Sequence, residues 1–296
     1  MNPLHTDDRG WTLYHADYRD TLGAVAASGG ADLIAFSPPY CDARNYGMDV
    51  SWGMADYAAL GDAVWSALKP GGHALVNVSA PVRDWTGDGR GNGRGLHAFR
   101  LVIDWHDRIG FRTPDHLAFG RLGQPGKWPM AFRSGWEPLW WFQRPGADGY
   151  FDPRSIMLRS RWAGRAQKPA RGRSGKREDW CAADHKVLTE EFRLPSSLWD
   201  VGTFDPQTEP TDGAHPARWP YRLASDIVRC FAAPGALVCD PFVGSGTTAA
   251  AALAHGRRFV GGDLGLRQSD KVPWVTVTDG LLRKRTAQGS LFGAAK

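Results

Sequence analysis

Between positions 11 and 79 the apolar residues fall into short blocks separated by turn formers, the signature of alternating strands and helices. WTLYHAD (11–17) predicts a strand, Thr21–Ala27 a short helix, and ADLIAF (31–36) a strand apolar enough for burial on both faces. Ala55–Leu68 has the spacing of an amphipathic helix, which the breaker Lys69-Pro70-Gly71-Gly72 should stop before the strand HALVNVS (73–79). The rhythm returns near the carboxyl end. There the pattern predicts a helix at Tyr221–Ala232, the strand ALVCD (236–240), an alanine-rich helix at 247–254 and the strand RRFVGGD (257–263). Strands alternating with helices in this way predict an α/β domain.

The middle of the chain has a different texture. Every second residue from Gly87 to Gly95 is glycine, which reads as a flexible loop, because no strand leads directly into a phosphate cradle there. Leu96–Ile109 predicts a helix and WEPLWWFQR (136–144) a strand. The stretch 154–177 holds nine basic residues and no acid, whereas the whole chain is only +5, so the remainder carries −4. Such local basicity suits either a solvated loop or an arm that contacts phosphates, and the arm is preferred. Its residues are Arg154, Arg159, Arg161, Arg165, Lys168, Arg171 and Arg173, followed by Lys176 and Arg177. The weakly patterned last thirty residues read as a frayed tail.

Length and composition narrow the class. At 296 residues, 42% hydrophobic and 23% charged, the chain suits one sizeable α/β domain or a core with an inserted subdomain. Four cysteines without C-x-x-C spacing point to a reduced cytosolic setting and no structural zinc, and no H-E-x-x-H or Cys/His cluster suggests another metal. MNPLHTDDRG lacks an apolar run behind a basic start, and the charge-free run from Pro241 to Arg257 is too short to span a bilayer. The expectation is a soluble protein.

Two motifs carry the chemistry. Gly244 and Gly246 stand where a strand should turn into a helix, a place where backbone can approach a ligand and a helix amino terminus attracts an anion. Asp263 ends the following predicted strand, placed to accept hydrogen bonds from ribose hydroxyls. Gly244-x-Gly246-x-x-Ala249 leaves NAD, FAD and S-adenosylmethionine open, and the missing Lys-Ser/Thr excludes a Walker A loop. The second motif, Ser37-Pro38-Pro39-Tyr40, closes the strand ADLIAF. Its prolines stiffen the backbone and offer carbonyls without N–H groups, between a hydroxyl and an aromatic ring. Cys41 beside it lacks a Pro-Cys context and reads as packing.

Together these motifs resemble the amino-methylating DNA methyltransferases, which make N4-methylcytosine or N6-methyladenine. Ser37-Pro38-Pro39-Tyr40 is similar to that family's catalytic motif, and Asp240-Pro241-Phe242-Val243-Gly244-Ser245-Gly246-Thr247-Thr248 to its cofactor loop. His215-Pro216-Ala217-Arg218-Trp219-Pro220 resembles the segment that helps line the cofactor pocket, and Trp199-Asp200-Val201 a recurring segment near the end of the recognition region. Asp17 resembles an aspartate facing the adenine, although alanine replaces the preceding glycine. Catalytic motif first and cofactor loop last is the circularly permuted order called the beta class. The resemblance covers roughly 11–82 and 195–265.

The resemblance implies a Rossmann-like class I methyltransferase fold with a mostly parallel seven-stranded sheet. It divides the chain into a catalytic part (1–82), connecting elements with the target-recognition region (83–194), a cofactor part (195–270) and a tail (271–296). It also implies S-adenosylmethionine as cofactor, double-stranded DNA as partner, no metal and a cytoplasmic location, and leaves open a homodimer and a cognate restriction endonuclease. Ser37 and the Pro38 carbonyl would hold the target amino group while Tyr40 stacks on a base extruded from the duplex. Serine at the first motif position leans toward cytosine N4, with adenine N6 as the alternative. RNA or protein-amide methylation fits the motif order less well. An inactive nucleic-acid-binding module is opposed by the intact motifs, and a dehydrogenase by the lack of a catalytic acid/base.

Overall fold

The computed structural model describes residues 2–39, 52–79, 82–83, 93–120, 135–161, 163–164, 190–200, 219–267 and 269–287. The chain divides into two compact units, one of residues 1–152 with 197–296 and one of residues 153–196. In chain order the strands are β1 (His5–Asp7), β2 (Trp11–Tyr14), β3 (Ala31–Phe36), β4 (Leu68–Val76), β5 (Val82–Arg83), β6 (Gly93–Arg94), β7 (His116–Gly120) and β8 (Trp136–Gln143). They continue with β9 (Leu158–Arg159), β10 (Phe192–Arg193), β11 (Leu198–Trp199), β12 (Leu237–Asp240) and β13 (Arg258–Gly262). The helices are α1 (Tyr18–Ala27), α2 (Met54–Ala67), α3 (His97–Asp104), α4 (Tyr221–Phe231), α5 (Thr247–Ala254) and α6 (Trp274–Ala287). The smaller unit holds the antiparallel ribbon β9–β10.

Among the described residues, nine strands of the larger unit form one sheet in the order β1-β2-β13-β12-β3-β4-β8-β7-β11. β2, β13, β12, β3 and β4 run parallel, while β8 is antiparallel to both its neighbours. The seven inner strands are the mostly parallel sheet the resemblance implied. Short β1 and β11 extend its two edges. The apolar run of β3 belongs at its centre: Leu33, Ile34, Ala35 and Phe36 are each at most 1% exposed. Ile34 and Phe36 face a cluster built with Leu22 of α1, Leu60 and Val64 of α2 and Leu101 of α3. On the other side α4 and α5 pack together and bury Ile227, Val228, Ala251 and Ala252. Burial of each large apolar side chain contributes about 1.5–3 kcal/mol, which outweighs the modest propensities of these short elements.

Three expectations are corrected. α2 stops at Ala67, as the breaker Lys69-Pro70-Gly71-Gly72 requires, but the strand expected from 73 already starts at Leu68, and β4 runs through all four residues. Pairing with β3 jumps from Ala31↔Leu68 to Leu33↔His73, so the extra residues bulge from the ladder, where proline is tolerated. The helix expected at 96–109 is α for its first eight residues and then a π-turn, Trp105–Ile109, closed by left-handed Gly110. The supposed frayed tail contains α6. Its Asp279 accepts from the Trp11 indole at 3.0 Å, and Thr278 donates to the Gly244 carbonyl at 2.8 Å. No helix among the described residues is long and apolar enough to cross a membrane.

Candidate active site

The parallel strands β2, β13, β12, β3 and β4 all deliver their carboxyl ends to one edge of the sheet. β12 sends its connection through α5 to β13 on one side, whereas β3 sends its own through α2 to β4 on the other. Connections that diverge from adjacent strands leave a crevice at their carboxyl ends, the usual ligand position in such sheets. Five residues or loops arrive there: Asp17 after β2, Ser37-Pro38-Pro39 after β3, Asn77 after β4, the glycine loop after β12 and Asp263 after β13.

Aromatic packing joins the two motif loops. The half-buried Phe242 ring lies 5.5 Å from Phe36, 5.6 Å from Tyr18 and 5.7 Å from Trp52. Ser37 donates its hydroxyl proton to the Asn77 carbonyl at 3.1 Å. The Pro39 carbonyl accepts from the Tyr57 hydroxyl at 2.9 Å, which anchors the second proline to α2. Tyr18 carries a buried hydroxyl with no hydrogen-bond partner among the described residues, and burial pushes its pKa up to about 12. Asp17 caps α1 by accepting from the Arg19 amide at 2.9 Å, so the residue that starts the helix also stands on the crevice edge.

The glycine loop is held from both sides. Asp263 accepts the Gly244 amide at 2.8 Å through one carboxylate oxygen and the Gly265 amide at 2.6 Å through the other. Burial raises the Asp263 pKa against the pull of those two amides. Gly246 caps α5 in the left-handed region at φ +80°, leaving the amides of Thr247 and the first turn at the helix amino terminus. His15 bonds the Leu264 carbonyl at 3.3 Å, pinning the chain just past Asp263.

Asp240 is 5% exposed, and burial pushes its pKa up to about 7 despite hydrogen bonds from the Phe242 amide and Thr248. The folded protein therefore keeps a proton that the unfolded chain has lost above its ordinary value of 3.8. Stability attributable to this group should fall as pH rises from about 4 to about 7 and level off above, with a slope of up to ~1.4 kcal/mol per pH unit. Asp240→Asn keeps an oxygen for the Phe242 amide and cannot ionise, so denaturant unfolding should show that slope in the parent only. Parallel curves for the two proteins would contradict this.

Several expected site residues thus share the crevice edge: Asp17, Ser37, Pro38, Pro39, Asp240, Pro241, Phe242, Gly244, Ser245, Gly246, Thr247 and Asp263. Tyr40 and His215 lie outside the described residues, as do Arg165, Lys168, Arg171 and Arg173. Arg154, Arg159 and Arg161 are exposed in the smaller unit, where Arg159 pairs with Glu191 at 3.5 Å. The sequence reading did not single out Asn77, Tyr18, Tyr57 or Thr278. Asn77 left one signal, a polar residue inside the apolar run ending β4. Among the described residues no group of acidic, His or Cys side chains could hold a metal.

Comparison with known proteins agrees with this geometry. Orphan methyltransferase M.BamHII of Bacillus amyloliquefaciens is 25% identical over 249 residues, which cover 81% of this chain and 86% of that protein. The structure of the PvuII DNA methyltransferase (cytosine-N4-specific) matches with a TM-score of 0.60 at 18% identity, over 97% of this chain and 95% of that one. That of the M1.HpyAVI–SAM complex matches with a TM-score of 0.54 at 17% identity, over 92% and 99% of the two chains. These likenesses establish the class I methyltransferase fold. The model of the N6/N4 methyltransferases, described as DNA methylase, matches residues 31–270, and the chain belongs to that DNA methylase family.

Proposed function

We propose that this protein transfers a methyl group from S-adenosylmethionine to the exocyclic amino group of an extruded DNA base, cytosine N4 in preference to adenine N6. One observation supports the reading above the others: Phe242 of the glycine loop packs on Phe36, the residue that precedes Ser37, so the two motif loops meet at the crevice. The donor set suits the cofactor. Amides at the start of α5 can face a carboxylate, Asp263 can accept from a ribose diol while retaining its amides, and half-buried Phe242, backed by Tyr18 and Trp52, offers flat apolar surface. Bound there, S-adenosylmethionine supplies an electrophilic methyl group.

The chain's own residues then have limited but definite work. An exocyclic amine is a weak nucleophile because its lone pair is delocalised into the ring. Acceptance of its N–H groups by the Ser37 oxygen and the Pro38 carbonyl favours a pyramidal nitrogen, and in-line attack needs mainly positioning, the methylated nitrogen then giving up one proton to water. Tyr40 would stack on the base, and Arg154, Arg159, Arg161, Arg165, Lys168, Arg171 and Arg173 would contact phosphates. If they do, affinity for DNA should fall with salt at a logarithmic slope of roughly −0.9 per contact, and Arg→Ser changes at Arg154, Arg159 and Arg161 should flatten it. An unchanged slope returns these three to the solvated surface.

The preference for cytosine rests mainly on the resemblance of Ser37 to the serine that opens the motif of cytosine-N4 enzymes. Nucleoside mass spectrometry of DNA modified by the parent chain should show N4-methylcytosine. Methyl found solely on adenine N6 replaces the preference with its alternative, and methyl on carbon 5 refutes the mechanism.

A further inference from the structure

Asn77 stands at the carboxyl end of β4, 2% exposed, between Val76 and Val78, both at 0%. Its hydrogen bonds join the end of β3 to β8 and to the approach to α4. Its backbone amide donates to the Phe36 carbonyl at 3.0 Å and its carbonyl accepts the Ser37 hydroxyl at 3.1 Å. Its side-chain amide donates to the Pro138 carbonyl of β8 at 2.8 Å. Its side-chain oxygen accepts the Trp219 indole N–H, just before α4, at 3.2 Å. A valine would fill this place in the sheet without any cost of burying an amide. Both of these side-chain partners are brought to the amide by the long β4-to-α4 excursion of the chain.

We propose that Asn77 is a positioning residue for methyl transfer, acting through Ser37. The two side-chain bonds lock the peptide of Asn77, so its carbonyl stays aimed at the Ser37 hydroxyl. With its proton committed there, Ser37 meets any further partner as an acceptor, which is the polarity an amino N–H requires. A serine free to turn would spend part of its time presenting its own proton to that N–H, donor against donor. Asn77 itself neither takes up nor releases a proton. The inference rests on the reading of Ser37 as the residue that holds the target amine.

The test is a mutant cycle on the full chain, using unmodified plasmid DNA and tritiated S-adenosylmethionine. Asn77→Ala should lower kcat by roughly ten- to a hundredfold and leave KM for S-adenosylmethionine within about twofold. In a Ser37→Ala background the same change should produce no further fall, because the group it orients is gone. Should Asn77→Ala fail to fold, Trp219→Phe removes one of the two anchors and keeps the ring, and it should show a smaller fall with the same dependence on Ser37. A purely structural role predicts equal fall in both backgrounds, or kcat and cofactor affinity falling together, and either result overturns the inference. A parent chain that transfers no methyl to DNA overturns the functional reading and this inference together. An active parent matched by an equally active Asn77→Ala overturns the inference alone.

Discussion

Replacing Ser37 with alanine is expected to slow methyl transfer by roughly 10²–10³-fold, while affinity for S-adenosylmethionine stays within about twofold of the parent. The hydroxyl is placed by the end of β3 and by its bond to the Asn77 carbonyl at 3.1 Å. Neither is a bond to the glycine loop, whose Gly244 amide and carbonyl are held by Asp263 and Thr278. Alanine fits the same half-buried backbone position, so the fold should not change. The lost acceptor matters chiefly as the amine becomes pyramidal, which places the penalty on kcat. Calorimetric titration with the cofactor and single-turnover assays on DNA separate the two quantities. A serine-to-alanine variant that turns over at the parent rate would remove Ser37 from the chemistry, and one that loses cofactor affinity in proportion would reassign it to the cofactor site.

Replacing Gly246 with alanine should destabilise the chain by about 2–4 kcal/mol and weaken cofactor binding at the same time. Two causes add at this position. Backbone at φ +80° is left-handed, unfavourable for any residue with a Cβ, and the added atom would lie 2.5 Å from Cγ2 of Thr278 on α6. Thr278 cannot simply turn away, because its hydroxyl holds the Gly244 carbonyl at 2.8 Å and it is 1% exposed. The loop and α6 must therefore separate, and the amides at the start of α5 move with them. Thr278→Ser removes the clashing methyl and keeps the hydroxyl, so the pair of changes should recover about half of the loss, leaving the left-handed penalty. Thermal unfolding with and without S-adenosylmethionine measures both effects. Wild-type stability and cofactor response in the single variant would show that α6 does not buttress the loop.

The α/β alternation, the two motif loops and their order along the chain were legible in the sequence, because they depend on local periodicity and on residue types with few uses. ADLIAF could be little other than a central strand, and Gly244-x-Gly246 after ALVCD little other than a strand-to-helix turn. Lys69-Pro70-Gly71-Gly72 misled because a local breaker was absorbed into β4 by pairing with β3, a partner more than thirty residues away. The last helix misled for a similar reason. Its residues are weakly patterned alone, and Trp274, Val275 and Thr278 acquire their burial only against the glycine loop and the edge of the sheet. Sequence alone determined which chemical groups the chain places at strand ends: a hydroxyl and two prolines ending one strand, a glycine loop ending another and an acid ending a third. Tertiary structure decided that these strands end at one edge, that Phe242 joins the loops, and that Asn77 and Thr278 hold them. Those contacts link residues dozens to hundreds of positions apart, and only the folded sheet with its packed helices supplies the energy that brings them together.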